Sequence, residues 1–326
     1  MIGKANILAT TCGYTDSRLL ELIEAAGRTC YKSDKRITPG SAVTFVKSIL
    51  LSGHESVIEH SWLAFLLQDI HAQAMIDLLL ANHLLVITRH LGANNYLVSG
   101  NARMFRDLFK RRAGHYYYFE REMIDQLAEI APILFEEFAV DYTPANPLGD
   151  RTSAILSPKI DYSRDEKLAH WWAMARITGC SRAFTHQQVR HRERVAYSQE
   201  SQRYCDEGGF VDDDYFVTPP SIIEAGLAGN YRRRMKLIDR WYQWYRTKVK
   251  KEDARFFLPN AVCSEIVIST NLAEWRWIFR MRCDHHAQWE IRAMMMSLLK
   301  EFQQLFPGCF DDFVISADGQ SANLQS

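Results

Sequence analysis

Neither charge is in excess in this sequence, because 39 Lys and Arg residues balance 39 Asp and Glu residues. A chain without bulk charge is a poor match for nucleic acid or an acidic membrane, so any anion would have to be held by locally clustered arginines. Long apolar runs are also lacking, since the most apolar stretches, 74–80 and 293–299, are much too short to span a bilayer. These absences predict a soluble protein with no membrane or nucleic-acid partner.

Paired cysteines are absent as well. The seven cysteines are scattered, odd in number and never spaced as Cys-x-x-Cys. This pattern favours free thiols in a reducing compartment over a disulfide framework or a zinc knuckle. The first residues also lack a long apolar core behind basic residues, so no secretory signal peptide is expected. We therefore predict a cytoplasmic location.

Histidines and carboxylates do cluster at two places, and a metal site has to be considered there. One group is His54, Glu55, Glu59 and His60, and the other is His285-His286. Adjacent histidines cannot easily share one ion, and the carboxylates lack the usual ligand spacing. We expect no bound metal.

Apolar spacing predicts a chain that mixes helices with short strands. Strands are expected near 61–67, 168–177 and 262–269, and long helices over 222–250 and 286–305. The expected fold is α+β, with a small, mostly antiparallel sheet built from these strands and flanked by the two long helices, which pack against it.

Local signals refine these elements. Apolar residues at helical spacing predict a helix over 41–51, and Ser181 suits the N-cap of a helix that runs to about Arg190. Pro132 is expected to kink or split the helix predicted over 118–138.

One short segment of the chain resembles another. Asn101-Ala-Arg-Met-Phe-Arg106 resembles Asn271-Leu-Ala-Glu-Trp-Arg276, and each follows an apolar, strand-like stretch. Over so few positions, chance similarity is the favoured explanation.

The densest polar cluster begins at Gln187-Gln-Val-Arg190-His191-Arg192 and continues through Tyr197-Ser-Gln-Glu-Ser201-Gln-Arg203-Tyr204. Arginine forks grip phosphate oxygens, and amides read the carbonyls and N–H groups of a planar ring, so the run suits a nucleotide. A solvated basic helix face would explain Arg-His-Arg alone. The longer run, with its repeated Ser-Gln and final Arg-Tyr, favours a binding site.

This run resembles the signature of the flavin-dependent thymidylate synthases, the ThyX family, in which Arg-His-Arg is followed by a short spacer and Ser-x-Arg-Tyr. Three further segments resemble family motifs in the same order: Gly53-His-Glu-Ser-Val-Ile-Glu-His60, Arg255-Phe-Phe-Leu-Pro259 and Arg282-Cys-Asp-His-His-Ala-Gln-Trp-Glu-Ile291. The resemblance covers 15–65 and 165–307, and four motifs in order are far more specific than one.

The resemblance implies a single ThyX-like catalytic domain over 1–315, with an insertion at about 68–165 relative to the shortest members. The polar tail over 316–326 is expected to be disordered. The implied activity is the methylation of dUMP to dTMP, with methylene-tetrahydrofolate as carbon donor and NADPH-reduced FAD as hydride source. The implied assembly is a homo-oligomer, a tetramer with shared active sites.

The resemblance also implies two sets of ligand-binding residues. For dUMP they are Gln187, Arg190, Ser201, Gln202, Arg203, Arg255 and Arg282. For FAD they are Ser56, Arg190, His191, Arg192, Gln199, Asn271 and His286. Arg282 is the candidate catalytic cation, because a fixed guanidinium can stabilise negative charge on the uracil ring and so activate C5. An ion pair of Arg282 with Asp284 or Glu290 is the structural alternative.

Two departures from the family pattern stand out. The spacer between Arg192 and Ser201 has eight residues where seven is commonest, so one extra residue should bulge near 194–196. The family usually has Asn-x-Arg where this chain has Asn271-Leu-Ala273, which removes one cation expected near the flavin. A compensating guanidinium could come from Arg103, Arg106 or Arg276, and Arg103 is favoured because it occupies the matching position in the similar segment. A solvated surface cation explains Arg103 equally well.

Two other functions stay open at this point. One is a flavoenzyme of the same fold that acts on a different pyrimidine nucleotide. The other is a nucleic-acid-binding module that would use Arg111-Arg112, 190–194 and 232–234 as a basic track, against which the zero net charge argues.

Overall fold

The computed structural model describes residues 3–10, 16–92, 94–139, 153–205 and 215–325. The helices are α1 Asp16–Thr29, α2 Ser41–Leu51, α3 Ala72–Ala81, α4 Ala102–Arg112, α5 Tyr118–Ile130, α6 Pro132–Phe135, α7 Arg164–His170, α8 Arg182–Gln188, α9 Pro220–Glu224, α10 Ala228–Arg246, α11 Lys251–Ala254, α12 Leu272–Arg282 and α13 Trp289–Leu305. The strands are β1 Lys4–Thr10, β2 Leu63–Gln68, β3 Val86–Arg89, β4 Tyr96–Gly100, β5 Ser153–Leu156, β6 Trp172–Ser181, β7 Ala196–Gln199, β8 Cys263–Asn271, β9 Phe313–Ile315 and β10 Ala322–Leu324.

Two four-stranded sheets organise the chain. The first sheet has the order β5-β2-β4-β3, and the second has the order β1-β6-β8-β7. All neighbouring strands are antiparallel, which confirms the α+β class and the antiparallel pairing. The prediction of one shared sheet is wrong, because β2 lies in the first sheet while β6 and β8 pair in the second. All three strands are apolar, and apolar character does not specify a pairing partner.

Each sheet has its own apolar core. The first core packs α1 to α6 against the first sheet around the rings of Phe65, Phe105 and Phe109. The second core packs α12 and α13 against the second sheet around Trp275 and Phe279. A smaller cluster with α1 contains both Trp62 and Trp172, each 1% exposed. The residues at 68–165 therefore contribute strands and helices to a packed layer.

The long helices match the predictions in part. The helix expected over 286–305 begins at Trp289 and packs on the second sheet, as predicted. The helix expected over 222–250 is wrong in extent, since Gly226, with φ of +69°, separates α9 from α10. A positive φ suits glycine and ends a helix. The prediction that α10 packs across the sheet is also wrong, because its described apolar contacts are with the small cluster of Phe216 and Val262 and with Phe257.

The sheet strand predicted over 168–177 is correct only from Trp172 onward. Residues 164–170 form α7, which begins with a capping box between Ser163 and Glu166. The strand then continues to Ser181, whose Oγ accepts a hydrogen bond from the Phe184 N–H and caps α8, as predicted. Pro132 splits the predicted helix 118–138 into α5 and α6, because proline fits a first helical turn but not an interior.

The C-terminal segment is ordered over its described residues. β10 pairs with β9 in an antiparallel register from Ala322 opposite Ile315 to Leu324 opposite Phe313. Ala322 and Phe313 are both buried in the second core. The prediction of a disordered tail is therefore wrong for 316–325, since three-residue strands are too short to show in the polar composition. Among the described residues, no helix is both long and apolar enough to cross a bilayer.

Candidate functional site

The polar cluster predicted from sequence begins in the last turn of α8, and a buried carboxylate fixes the start of that helix. Glu290 is 1% exposed, and its carboxylate accepts hydrogen bonds from the Ser181 N–H at 2.7 Å and from the Ser181 hydroxyl at 2.5 Å. A buried carboxylate needs such donors. The bond ties α13 to the junction of β6 and α8, and so it positions the segment Gln187 to Arg192.

Arg282 lies against this segment. Its Nε donates to His191 Nε2 at 3.0 Å, and its Nη2 donates to the Gln187 carbonyl at 3.1 Å. Burial, with a smaller effect from the Arg282 cation, lowers the pKa of His191 to about 4. His191 is therefore neutral near pH 7, which leaves Nε2 free to accept the bond.

The alternative role for Arg282, a local ion pair, is not observed. Asp284 instead bonds the ring of His286 at 2.8 Å, and Glu290 is taken by Ser181. Among the described residues, no carboxylate forms an ion pair with Arg282, and burial lowers the pKa of its guanidinium. A half-buried cation held only by neutral groups keeps its charge available for a ligand.

The remaining residues predicted to bind dUMP gather partly around Glu252. Arg203 Nε bonds the Glu252 carboxylate at 3.1 Å, and Arg255 Nε donates to the Glu252 carbonyl at 3.0 Å. Ser201 Oγ accepts a hydrogen bond from the Arg203 N–H at 3.3 Å. Gln202 is partly buried beside them, whereas Arg190 is exposed at the end of α8.

The residues predicted to bind FAD are more dispersed. Gln199 Nε2 donates to Thr185 Oγ1 at 2.8 Å, and Ser56 is exposed in the short 3₁₀ helix Glu55–Glu59. Asn271 caps α12, with its amide oxygen bound to the Glu274 N–H and its NH₂ group donating to the Ala169 carbonyl. His286 is 81% exposed at its side chain. The structure does not bring Asn271 and His286 into the cavity that Arg192 lines.

That cavity has a volume of about 290 Å³ and carries an excess of cations. Three guanidiniums and two carboxylates line it together with smaller and apolar groups: Glu59, Leu84, Asn101, Arg103, Met104, Asp107, Arg192, Arg194 and Val195. This donor set fits the pyrophosphate of a dinucleotide, which needs clustered cations.

Of the three arginines proposed to replace a cation at position 273, only Arg103 lines this cavity. Arg103 forms an ion pair with Glu59, whose pKa is raised by burial. Arg106 is buried and bonded to the Leu134 carbonyl and Glu137. Arg276 bonds the Cys309 carbonyl and Asp312. Sequence reasoning missed Asp107 and the role of Glu59 as the partner of Arg103.

The described residues include one group of side chains with metal-ligand chemistry. Single ligand atoms of Asp284, His285 and His286 all lie within 4.8 Å of one another. Both histidines are exposed, and Asp284 already bonds the His286 ring. The absence of a bound metal stays a prediction.

The chain is similar in sequence to proteins of one known family. Residues 150–308 match the family model described as thymidylate synthase complementing protein. A flavin-dependent thymidylate synthase from Mycolicibacterium vanbaalenii is 34% identical over 193 residues, which are 53% of this chain and 75% of the relative. The chain belongs to the flavin-dependent thymidylate synthase family.

Other flavin-dependent thymidylate synthases agree over different shares of their length. The enzyme from Geobacter sulfurreducens is 31% identical over 193 residues, covering 57% of this chain and 80% of the relative. For the Pyrococcus abyssi and Thermococcus onnurineus proteins, at 37% and 35% identity, this chain spans only 63% and 64% of their length. A solved ThyX structure from Helicobacter pylori aligns with 44% of this chain at 18% identity and a TM-score of 0.36.

One departure from the flavin-dependent thymidylate synthase pattern can be located. The extra residue in the spacer was expected to bulge near 194–196, and Arg194, two residues before the start of β7, has a φ of +55°. Such a φ is uncommon for a residue other than glycine, and it turns the chain sharply. Arg194 Nε then donates to the Leu84 carbonyl at 2.9 Å, so the bulge contacts the first half of the chain.

Proposed function

We propose that the protein methylates dUMP to dTMP, with methylene-tetrahydrofolate as carbon donor, FAD as cofactor and NADPH as reductant. Support comes from family membership and from the half-buried Arg282, whose Nε is bound by the neutral His191. When bound, reduced FAD would supply the hydride of the reaction. Substrate binding and charge stabilisation are proposed for side chains of the protein itself.

Arg282 is proposed to bind the uracil ring and to stabilise negative charge on its oxygens. C5 of uracil is a weak nucleophile, and a fixed cation close to the ring lowers the cost of developing charge there. His191 is a positioning residue, because it holds the guanidinium without neutralising it. A carboxylate in its place would attract the same guanidinium but cancel much of its charge.

Arg190, Arg203 and Arg255 are proposed to bind the dUMP phosphate and sugar, with Gln187, Ser201 and Gln202 completing the site. Forked guanidiniums match phosphate oxygens in charge and geometry. Ser56, His191, Arg192, Gln199, Asn271 and His286 remain proposed FAD ligands. Arg103 joins them, because it shares a cavity with Arg192.

Assembly into a homo-oligomer, a tetramer with shared sites, is part of the proposal. Trp241 and Trp244 on α10 are 55% and 58% exposed, and exposed aromatic surface of this kind marks interaction sites. The thiols of Cys180 and Cys283 are free among the described residues, which supports a reducing, cytoplasmic location.

The basic-track alternative has less support. Arg112 is bound to the buried carboxylate of Glu120 at 2.8 Å, and Arg192 lines a cavity with Arg103. These arginines are therefore engaged separately within the fold. A nucleic-acid track would need them on one open surface.

The test is to incubate the protein with dUMP, methylene-tetrahydrofolate, FAD and NADPH and to measure dTMP by chromatography. Arg282→Ala should lower turnover by about 10²- to 10³-fold, the usual effect of removing one charge-stabilising donor, while FAD remains bound. Arg280→Ala is the matched control, because Arg280 is exposed on the same helix.

Arg255→Ala separates nucleotide binding from catalysis. It should weaken dUMP affinity by about 10- to 100-fold, the range for one charge-assisted hydrogen bond, as measured by calorimetry. If Arg282→Ala and Arg255→Ala both lost flavin while dUMP affinity stayed unchanged, the assignment of roles would be wrong.

A further inference from the structure

The two sheets have the same topology. In chain order, β2-α3-β3-β4-α4-α5 builds the first sheet and its cover. The second sheet and its cover are built by β6-α8-β7-β8-α12-α13, with α9 to α11 inserted between β7 and β8. In each sheet the third of these strands lies between the first and the second, and a further antiparallel strand, β5 or β1, pairs with the outer side of the first. The chain therefore contains two copies of one arrangement.

Strand registers give a residue-by-residue correspondence between the copies. Alignment of the two N-cap residues, Asn101 and Asn271, superposes the pair Leu63–Gly100 on the pair Ala173–Thr270. The same alignment superposes Val86–Ser99 on Ala196–Ser269. Identical residues then coincide, all of them buried except the half-buried Arg276: His60 with His170, Trp62 with Trp172, Ser99 with Ser269, Arg106 with Arg276, Phe109 with Phe279 and Glu120 with Glu290.

Contacts between the copies are reciprocal. His60 Nδ1 bonds Ser269 Oγ at 2.7 Å, and the equivalent His170 Nδ1 bonds Ser99 Oγ at 2.8 Å. Such an exchange, in which i contacts j and j contacts i, marks a two-fold interface. Chance is therefore the wrong explanation for the similarity between 101–106 and 271–276. The chain is an internal pseudo-dimer of a first repeat and a second repeat.

The repeats have kept different parts of the cationic motifs. The second repeat has the tripeptide Arg190-His191-Arg192. When the strand registers are extended back along the chain, the equivalent tripeptide of the first repeat is Leu80-Ala81-Asn82. The first repeat keeps Asn101-Ala-Arg103, where the second has Asn271-Leu-Ala273. Neither repeat alone contains both motifs.

The pseudo-two-fold axis brings the two retained motifs together. Arg103 of the first repeat lines the same cavity as Arg192 and Arg194 of the second repeat. Near the axis, Arg194 Nε donates to the carbonyl of Leu84, its own equivalent in the first repeat. The cavity is therefore a composite of both repeats.

We infer that the chain is a duplicated flavin-dependent thymidylate synthase unit with one complete flavin cleft, formed by Arg103 of the first repeat and by Arg192 and Arg194 of the second. This inference rests on the proposed function, and it specifies how many flavins each chain binds. Two equivalent clefts in a symmetric pseudo-dimer would bind two FAD molecules per chain. Because the first repeat lacks Arg-His-Arg and the second repeat lacks Asn-x-Arg, only one of the two clefts keeps both motifs, and the chain binds one FAD.

The equivalent second cleft lacks the guanidiniums that a pyrophosphate needs. Its positions carry Asn82 in place of Arg192, Leu84 in place of Arg194 and Ala273 in place of Arg103. Glu274 occupies the position of Met104, and burial, with a smaller contribution from Glu193, raises its pKa to about 7. Ala169 and Trp277 replace the two carboxylates of the first cleft, so Glu274 is the one acidic group at these positions, and an anion placed there would lack the equivalents of Arg103 and Arg192.

The experiment measures FAD binding by flavin absorbance and fluorescence. The wild-type chain should bind one FAD, and Arg103→Ala should weaken binding by about 10- to 100-fold, as expected for loss of one charge-assisted contact. The matched control is Arg111→Ala, which removes an exposed cation from the same helix and should leave the affinity unchanged. Arg103→Lys should retain part of the affinity.

A double variant tests the composite nature of the cleft. Ala273 is exposed, so an arginine can be introduced there without steric cost. In Arg103→Ala/Ala273→Arg, the new guanidinium lies in the second cleft, which lacks the Arg-His-Arg cations, and FAD affinity should not recover. The inference would be overturned if the double variant recovered FAD affinity, if Arg103→Ala left the affinity unchanged, or if the wild-type chain bound two FAD molecules. None of these three results would contradict the proposed function. A wild-type protein that bound no FAD and formed no dTMP would overturn the proposed function as well.

Discussion

Acid should destabilise the interface between the two repeats through its buried histidines. Burial lowers the pKa of His170 from an ordinary 6.5 to about 4, and that of His60 to about 3. Both folded-state pKa values lie below the unfolded value. The unfolded chain therefore binds more protons between about pH 4 and 6.5, and stability falls as the pH falls through this window.

The size of the effect follows from the pKa shift of His170. At pH 4.5 the unfolded histidine is almost fully protonated, whereas His170 in the folded protein is mostly neutral. Each pKa unit corresponds to about 1.4 kcal/mol, so about 2.5 kcal/mol of unfolding free energy is lost between pH 7 and pH 4.5. This is a large fraction of a typical total of about 5–15 kcal/mol.

The assay is urea unfolding of the wild type and of His170→Gln at pH 7 and pH 4.5. The wild type should lose about 2.5 kcal/mol more than the variant over this range, because the variant has no imidazole to titrate. His83→Gln, which changes an exposed histidine of the first repeat, is the control and should follow the wild type. Equal losses in the wild type and in His170→Gln would refute the reasoning. If His170→Gln does not fold, an NMR titration showing the wild-type ring protonated above pH 6 would do the same.

Three further predictions concern the second repeat. Phe279→Ala should lower the unfolding free energy by about 3–5 kcal/mol in urea, because the ring is fully buried against Trp275; a loss below 1 kcal/mol would contradict this packing. Asn271→Ala should cost about 0.5–2 kcal/mol through loss of the α12 cap, with Asn271→Asp losing less. Cys283, fully buried with a raised pKa, should resist a thiol reagent until the protein unfolds; rapid labelling of the folded protein at Cys283 would disprove its burial.

Local features of the fold could be predicted from sequence, and long-range pairing could not. The helix over 41–51, the Ser181 cap and the break at Pro132 depend on neighbouring residues, and all three are observed. The division into two sheets depends on which strand pairs with which, and neighbouring residues do not specify that. For the candidate site, too, local features could be predicted and long-range contacts could not. Its polar motifs were visible, but the contact between Arg282 and His191 joins residues far apart in the chain.

The repeat itself shows why the sequence concealed it. Most of the equivalent residues that stayed identical are buried, including His60 with His170 and Trp62 with Trp172. Exposed positions and the loops between strands carry little packing constraint, and most of them have diverged. A similarity confined to scattered buried positions looks like chance in a linear sequence, and only strand register aligns it.

Equivalent positions also explain why, among the described residues, only one repeat offers the proposed catalytic arginine. In the first repeat, Arg112 occupies the position of Arg282 and donates to the buried Glu120, which neutralises it. In the second repeat, the equivalent carboxylate of Glu290 is taken by the N–H and hydroxyl of Ser181. Arg282 is thereby released to bond the neutral His191 and keeps its charge for a ligand. The two hydrogen bonds from Ser181 to Glu290 thus distinguish an arginine that a carboxylate neutralises from one whose charge stays available for the proposed substrate.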